Sequence, residues 1–190
     1  MPRTDKRQHL VDTAYSCFKR DGFHAIGIDR IIAEADVARM TLYRNFPSKD
    51  DLIVEVLDQR AERFCAQLDR LAEASGSVFD KFAAIFDWYD RWVAQQDFHG
   101  CIFAHAIAEY GSADHPVHQR AVAQKTQHWQ KMASILRTEL PGERAEHLAS
   151  ALLMLIEGAV LMAQTGQGAA AVTTARAAAT TLLAAEGIDG

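Results

Sequence analysis

The 190-residue sequence predicts an all-α protein of about nine helices. Apolar residues recur at helical spacing along most of the chain, and short segments rich in Gly, Pro and Ser interrupt them. Hydrophobic residues make up 49% of the chain and charged residues 24%, which is typical of a soluble globular protein. A chain of this length can bury a sizeable core without disulfides or metals.

The cysteines and the N-terminus indicate where such a protein works. Cys17, Cys65 and Cys101 are an odd number without motif spacing, which favours a reducing cytoplasm over a disulfide framework. The N-terminus lacks the apolar core of a signal peptide, and no stretch approaches about 20 uninterrupted apolar residues. We therefore expect a cytoplasmic protein that makes no membrane contact.

The first helix is predicted from about Thr4 to Arg20, because Gly22 follows it where a helix commonly stops. Cys17 is interpreted as a small buried hydrophobic residue of this helix. The expected buried stripe consists of Leu10, Ala14, Cys17 and Phe18.

Two short helical patterns with a tight break between them come next. Val37 and Leu42 can close on the apolar face of the first pattern, and the second pattern runs from about Arg39 to Asn45. The outward side chains of the second helix donate hydrogen bonds, pair with phosphate or make apolar contacts. This is the arrangement of a helix-turn-helix, whose second helix enters the major groove of DNA. The apolar face of the first helix comprises Ile28, Ile31, Ile32 and Ala35.

The segment from Thr41 to Asp50 resembles the recognition-helix signature of the TetR family of transcriptional regulators. Gly22 and Phe23 resemble the turn that ends the first helix of that family. The resemblance covers about a quarter of the chain, and the remainder is similar in length and all-helical pattern.

Three positions depart from the family pattern. Ile26-Gly27 replaces the hydroxyl pair that usually opens the second helix, which removes a hydroxyl contact to phosphate. Asp36 replaces the glycine of the turn, and Asp tolerates the left-handed conformation better than most residues. Ala38 replaces the capping serine of the recognition helix.

The resemblance implies a homodimeric repressor that binds palindromic operator DNA and leaves it when a small-molecule effector binds. It implies a DNA-binding domain of residues 1–47 and a ligand-binding and dimerisation domain of residues 48–190. Tyr43 and Lys49 are expected to hold phosphate, while the other exposed residues of the recognition helix face base edges. The expected DNA-binding residues are Arg30, Arg39, Met40, Thr41, Tyr43, Arg44, Asn45, Ser48 and Lys49.

Charge is distributed unevenly along the chain. Residues 1–50 carry nine Lys and Arg against seven Asp and Glu, a net charge of +2, whereas residues 51–190 carry eleven against eighteen, a net charge of −7. The basic residues Arg3, Lys6 and Arg7 are expected near the DNA, and the acidic remainder is expected to stay off the phosphates.

The remaining helices are separated by clear breaks. Ser48 and Asp51 form a capping-box variant that opens a long helix to about Ala74. The next helix is apolar on most of its circumference, which indicates a central position in its domain. The later helices are predicted at about Val78–Gln95, Gly100–Tyr110, Val117–Leu140, Glu143–Gln164 and Ala169–Ala185.

An excess of large rings on that central helix has two interpretations. The rings can pack a core, or part of the aromatic wall can line a pocket for a small apolar or aromatic effector. Cys101, near a helix start, gives an alternative function, because a thiol there can react with electrophiles or oxidants. The expected ligand-binding residues are Phe82, Phe86, Tyr89, Trp92, Cys101, His105 and Trp129.

The last two helices, at about 143–164 and 169–185, are expected by resemblance to pair with their copies in a second subunit. The alternative is that both only close the monomer. Leu152 and Ile156 are expected at the dimer interface.

Eight histidines show no metal-binding spacing, and no catalytic or cofactor-binding motif is present, so we expect no metal, no cofactor and no enzyme activity. A remote alternative is an all-helical enzyme that uses His105 and Glu109.

Overall fold

The computed structural model describes residues 3–190, with side chains described from Lys6 onward. The predicted all-α fold is confirmed, since the described residues form nine α-helices and no strand. A five-residue π turn, Ala163–Gln167, follows the eighth helix. The helices are α1 (Arg3–Asp21), α2 (Ile28–Glu34), α3 (Arg39–Asn45), α4 (Lys49–Ala74), α5 (Val78–Val93), α6 (Ile102–Glu109), α7 (Pro116–Leu136), α8 (Gly142–Met162) and α9 (Ala169–Ala185).

The helices form two compact units. The first unit takes residues up to 62 together with residues 102–124, and the second takes residues 63–101 and 125–190. Helices α4 and α7 therefore each contribute residues to both units. The predicted boundary at residue 47 separates functional domains, whereas the two units are defined by contacts within the fold. That boundary therefore stays a prediction.

The first unit has its core between α1, α2 and α3. Phe18, Phe23, Ile31 and Leu42 are fully buried there, and Cys17 is buried as predicted. Burial is the first cause that raises the pKa of Cys17 to about 11, so this thiol is inert at neutral pH. The side chains that the spacing placed inside the helix-turn-helix are therefore the ones that form its core.

The turn between α2 and α3 depends on Asp36. Its φ is +50°, which makes it the residue other than glycine with a left-handed backbone in the described chain. Asp is among the residues that adopt this conformation at low cost. The expectation that Asp36 can replace a turn glycine is confirmed.

The predicted capping box opens α4. The Ser48 hydroxyl accepts the Asp51 N–H at 3.1 Å, and the Asp51 carboxylate accepts the Ser48 N–H at 3.0 Å. These two bonds satisfy donors that have no partner inside the helix. They fix the point at which the chain leaves α3 and enters α4.

In the second unit, α5 is the central helix, as predicted. Phe82, Ile85, Phe86 and Tyr89 are buried on it. A second capping box, between Ser77 and Asp80, opens this helix.

Helices α6 and α7 are shorter than predicted for local reasons. Gly100 has a φ of +84°, which no helix residue adopts, and α6 begins only at Ile102. At the end of α7, Glu139 donates to the carbonyl of Leu136 at 3.0 Å, so the backbone changes to tighter bonds and turns.

Helices α8 and α9 pack on each other through small and aliphatic side chains. Leu152 and Ile156, expected at a dimer interface, are buried inside the protomer instead, so that expectation was wrong. Periodicity alone does not distinguish a face buried by the same chain from one buried by a copy.

The chain leaves α8 through the π turn, where Gly166 has a φ of +94°. An 18-residue window within the stretch Gly142–Gln167 has a mean hydropathy of 1.7, which by length and composition would allow it to cross a membrane. One such helix is weak evidence for a membrane span, since helices buried in protein cores have the same composition.

The capping box of α5 gives a stability prediction. We expect Ser77→Ala to lower the free energy of unfolding by about 1 kcal/mol, because the N–H of Asp80 loses its acceptor. Hydrogen bonds from Ser77 hold the pKa of Asp80 below its ordinary value. The carboxylate therefore adds stability above the pKa of an unfolded Asp, and this contribution is lost as the pH falls through the lowered pKa.

Urea unfolding followed by circular dichroism measures this effect. Ser134→Ala is the matched control, because Ser134 is an exposed serine that bonds only the carbonyl of Lys131. Equal unfolding midpoints for the two variants would contradict the capping role of Ser77.

Candidate DNA-binding surface and sensor core

The helix α3 exposes a short face of mixed chemistry. Leu42 anchors it from the inside, whereas Met40 is 77% exposed and Tyr43 is 40% exposed. Arg44 is also exposed, and no described residue forms an ion pair with it. The face therefore offers a long apolar side chain, a phenol and an available guanidinium.

The other two predicted arginines are engaged inside the first unit. Arg39 forms an ion pair with Asp29. Arg30 lies 2.9 Å from the carboxylate of Asp21 and 3.0 Å from that of Glu34. Both guanidinium groups are about half exposed, so DNA phosphates would have to compete with carboxylates for them.

Polar residues at the end of α3 are used for local structure. The amide of Asn45 donates to the carbonyl of Thr41 at 2.7 Å, which ties the last turn of the helix together. The hydroxyl of Ser48 belongs to the capping box of α4. Thr41 is half-buried.

Lys49 has a structural partner of its own. Its Nζ donates to the carbonyl of Phe23 at 2.6 Å. Burial lowers the pKa of Lys49 from its ordinary value. The expectation that Lys49 holds a DNA phosphate stays a prediction, and the ammonium already orients a backbone segment without DNA.

The N-terminal basic residues differ in how they are held. Arg7 makes a bidentate pair with Glu55 at 2.8 and 2.7 Å and lies 4.9 Å from the ring of Phe46. Lys6 is exposed. The side chain of Arg3 lies outside the described part of the chain.

The predicted ligand-binding residues fall into three groups. Phe82, Phe86 and Tyr89 are buried in the core of the second unit. His105 belongs to α6 in the first unit, so the structure does not group it with the others. The half-buried members in the second unit are Trp92, Cys101 and Trp129.

An aromatic chain runs through the second unit beside the predicted residues. The rings of Trp88 and Trp92 are stacked with centroids 5.6 Å apart. Tyr89 contacts both indoles edge-on, at 4.8 and 5.8 Å. Phe64 and Phe98 extend the chain at its two ends. This arrangement gives flat aromatic surfaces of the kind on which another planar ring packs favourably.

Three polar residues that the sequence analysis missed lie in the same unit. The Nζ of Lys125 lies 2.6 Å from Glu157 and 3.2 Å from the sulfur of Cys101. Burial lowers the pKa of Lys125, but Cys101 and Glu157 outweigh this, and the pKa lies above its ordinary value. Lys125 is therefore a charged, matched cation inside the unit.

His128 is the third of these residues. It is 1% exposed and packs edge-on against Phe64 at 4.9 Å, while Tyr89 lies parallel to it at 6.4 Å. Burial, followed by the charge of Lys125, lowers the pKa of His128 to about 3, so the imidazole is neutral at neutral pH. Its Nε2 has no hydrogen-bond partner among the described residues.

Trp129 makes a structural hydrogen bond, and its expected ligand-binding role stays a prediction. Its indole N–H donates to the hydroxyl of Ser150 at 3.0 Å, which fixes α7 against α8. Within the described residues, no cluster of three His, Cys, Asp or Glu side chains could hold a metal ion.

Comparison with known proteins agrees with this geometry. Residues 10–56 match the model of bacterial regulatory proteins of the tetR family. Residues 78–178 match the model of the C-terminal domain of LmrA/YxaF-like transcriptional regulators. The second model alone spans more than half of the chain.

A solved structure of SCO4454, a TetR-family transcriptional regulator from Streptomyces coelicolor, superposes with a TM-score of 0.91. It is 31% identical, with 96% of each chain covered. The HTH-type transcriptional regulator Rv0196 of Mycobacterium tuberculosis is 27% identical over 83% of this chain and 84% of its own.

The HTH-type transcriptional repressor KstR of Mycolicibacterium smegmatis is 35% identical over 77 residues. That segment spans 40% of this chain and 38% of KstR. Together, the buried helix-turn-helix core, the exposed face of α3 and these matches show that the chain belongs to the TetR family and is a DNA-binding transcriptional regulator.

Proposed function

We propose that the protein is a homodimeric repressor that binds palindromic operator DNA and is released by a small, uncharged aromatic effector. The observation that carries the proposal is the face of α3, where Met40, Tyr43 and Arg44 are exposed on a helix anchored by Leu42. Its relatives are bacterial transcription regulators and not enzymes, and the cytoplasm is where operator DNA is accessible.

The exposed residues have separate roles in DNA binding. Arg44 reads base edges in the major groove, because a guanidinium can bond both acceptors of a guanine. Met40 supplies apolar contact, and Tyr43 bonds the backbone phosphates that set the register. Arg39 joins them when a phosphate replaces Asp29 as its partner.

The dimer interface is formed by the outer faces of α8 and α9. Met154 and Leu161 are 68% and 62% exposed and lie two helical turns apart, on one face of α8. Two further exposed apolar residues are Met162, the last residue of α8, and Leu182 of α9. A stripe of this kind on a regulator that dimerises by family is best covered by a second copy.

The aromatic chain of the second unit is the place for an effector. Flat rings favour an aromatic ligand, and the unpaired Nε2 of His128 offers a hydrogen bond to one polar group. The charge of Lys125 is already matched by Glu157. An anionic ligand would therefore bring an unmatched charge into the core, which is costly.

Release of DNA follows from linkage. The reading heads are the two helix-turn-helix segments of the dimer. An effector that binds more tightly to a conformation in which their spacing does not match the operator lowers the operator affinity by its differential affinity for that conformation. In such dimers, the half-sites lie about 34–36 Å apart, one turn of DNA. Helix α4 starts at the capping box that directly follows α3, so a pivot of α4 changes the orientation of the reading heads.

The thiol alternative has one supporting contact, the 3.2 Å approach of Lys125 to Cys101. The comparisons add nothing to it. The alternative of an enzyme that uses His105 and Glu109 is disfavoured, because the carboxylate of Glu109 already accepts two backbone N–H groups.

The first test concerns Arg44. We expect Arg44→Ala to weaken operator binding by about 1–3 kcal/mol, because a bidentate contact to a base is lost. Binding to random DNA should change much less. Fluorescence anisotropy, with an operator selected from random duplexes by the wild-type protein, measures both. Arg91→Ala, which removes an exposed arginine of α5, is the control. Unchanged operator affinity in Arg44→Ala would remove Arg44 from the reading face.

The second test concerns assembly. We expect Leu161→Asp to convert the dimer to a monomer, because symmetry places the new carboxylate in the interface twice. Val122→Asp, at an apolar residue of α7 that is 40% exposed, should remain dimeric. Sedimentation velocity at micromolar concentration reports both results, and a monomeric wild type would overturn the two-headed model.

The third test concerns the effector. We expect 2-naphthol to bind at least about tenfold more tightly than 2-naphthoate, which has the same rings and a carboxylate, because of the cost of the unmatched charge. His128→Leu should lose affinity for the naphthol, while His147→Leu, at an exposed histidine, should not. Isothermal titration calorimetry measures these affinities.

Cys101→Ser separates reversible binding from thiol capture in the same experiment. Naphthol cannot alkylate a thiol, so the serine variant should bind it like the wild type. Tighter binding of the naphthoate would contradict an uncharged effector.

A further inference from the structure

One backbone segment of the first unit is held from outside the helix-turn-helix. The turn Gly22–His24 connects α1 to the approach of α2. The carboxylate of Glu109, the last residue of α6, accepts the N–H of Phe23 at 3.0 Å and the N–H of His24 at 2.7 Å. Hydrogen bonds to an ionised acceptor are about twice as strong as neutral ones.

The opposite side of the same segment is held by α4. The Nζ of Lys49 donates to the carbonyl of Phe23 at 2.6 Å. The donor groups and the acceptor of this turn are thus bound by side chains of opposite charge from two helices. Position and orientation of the turn are fixed together, because neither helix can shift without stretching a bond.

The turn leaves no room for a looser arrangement. Gly22 has a φ of +82°, and a Cβ on it would lie 2.9 Å from Oε1 of Glu109. The carboxylate therefore occupies the space beside a glycine that the backbone conformation also requires. The phenol ring of Tyr110, next in sequence, packs against Phe23 at 6.0 Å and against His24 at 4.8 Å.

The chain passes directly from the second unit into α6, at whose end Glu109 lies. Helix α6 starts one residue after Cys101, which contacts Lys125 in the second unit, and it ends at Glu109. Eight residues of helix span about 12 Å and move as a short rigid rod. A displacement of α6 as a whole therefore moves the carboxylate of Glu109 at its end.

From these contacts, we infer that Glu109 is a positioning residue for DNA recognition: its carboxylate holds the Gly22–His24 turn, and through it α2 and α3, in the orientation that reads the operator. The inference rests on the proposed DNA-binding function. A shift of α6 breaks the two hydrogen bonds from Phe23 and His24. It thereby lowers the fraction of molecules whose helix-turn-helix can bind the operator, and the apparent operator affinity falls in proportion to that fraction.

Glu109→Gln tests the role of the carboxylate while preserving its size. The amide nitrogen faces one backbone N–H that the second oxygen accepts in the wild type. We expect amide hydrogen exchange at Phe23 or His24 to accelerate about tenfold or more, and operator affinity to fall several-fold. Affinity for random DNA should change less, because phosphate contacts need less exact placement.

Glu62→Gln is the matched control, since Glu62 is an exposed glutamate of α4 in the same unit. Its exchange rates and DNA affinities should equal those of the wild type. A second readout uses reciprocity: operator DNA should slow exchange at Phe23 and His24 in the wild type and should do so less in Glu109→Gln. If the contact were only structural, Glu109→Gln would accelerate exchange at Phe23 and His24, but operator DNA would slow that exchange equally in the variant and the wild type.

The outcomes are distinct. Wild-type operator affinity in a folded Glu109→Gln overturns the inference, whereas absence of operator binding by the wild type overturns the DNA-binding proposal itself. If Glu109→Gln does not fold, Glu109→Asp replaces it, because the shorter side chain retains the charge. Faster exchange confined to the turn with unchanged operator affinity in that variant also overturns the inference.

Discussion

A helix of seven residues has no stability of its own in water, so the exposed face of α3, proposed to read DNA, exists only through the core beneath it. Leu42 and Phe46 attach α3 to a core that also buries Ile31 of the equally short α2. Asp36 allows the sharp break between the two helices. Recognition therefore depends first on burial in the first unit and only then on the side chains that meet DNA.

The distribution of ion pairs explains how a chain with a net charge of −5 can present a DNA-binding face. Arg7 and Arg30 are held by carboxylates of their own unit, while Arg44 is left available. The pair between Arg39 and Asp29 lies at the surface, where such pairs contribute only about 0–1 kcal/mol. Exchange of this carboxylate for a phosphate therefore costs little.

Features encoded by neighbouring residues were predictable from the sequence. The bounds of α3 and the capping box between Ser48 and Asp51 follow from short patterns and agree with the structure. The roles of Glu109, Lys125 and His128 were missed, because each depends on partners distant in sequence. A single sequence contains periodicity and capping signals but no measure of which separated residues meet. The DNA-binding and effector-binding roles assigned to individual residues stay predictions.

The buried His128 makes folding of the second unit a proton-linked reaction. Burial, with Lys125 as the second cause, lowers its pKa to about 3, whereas an exposed histidine titrates near pH 6.5. Between these values the unfolded chain binds a proton that the folded chain excludes. The contribution of this residue to stability therefore decreases as the pH falls through that interval, and acid favours the unfolded chain. The same neutral imidazole thus limits the acidity in which the unit stays folded.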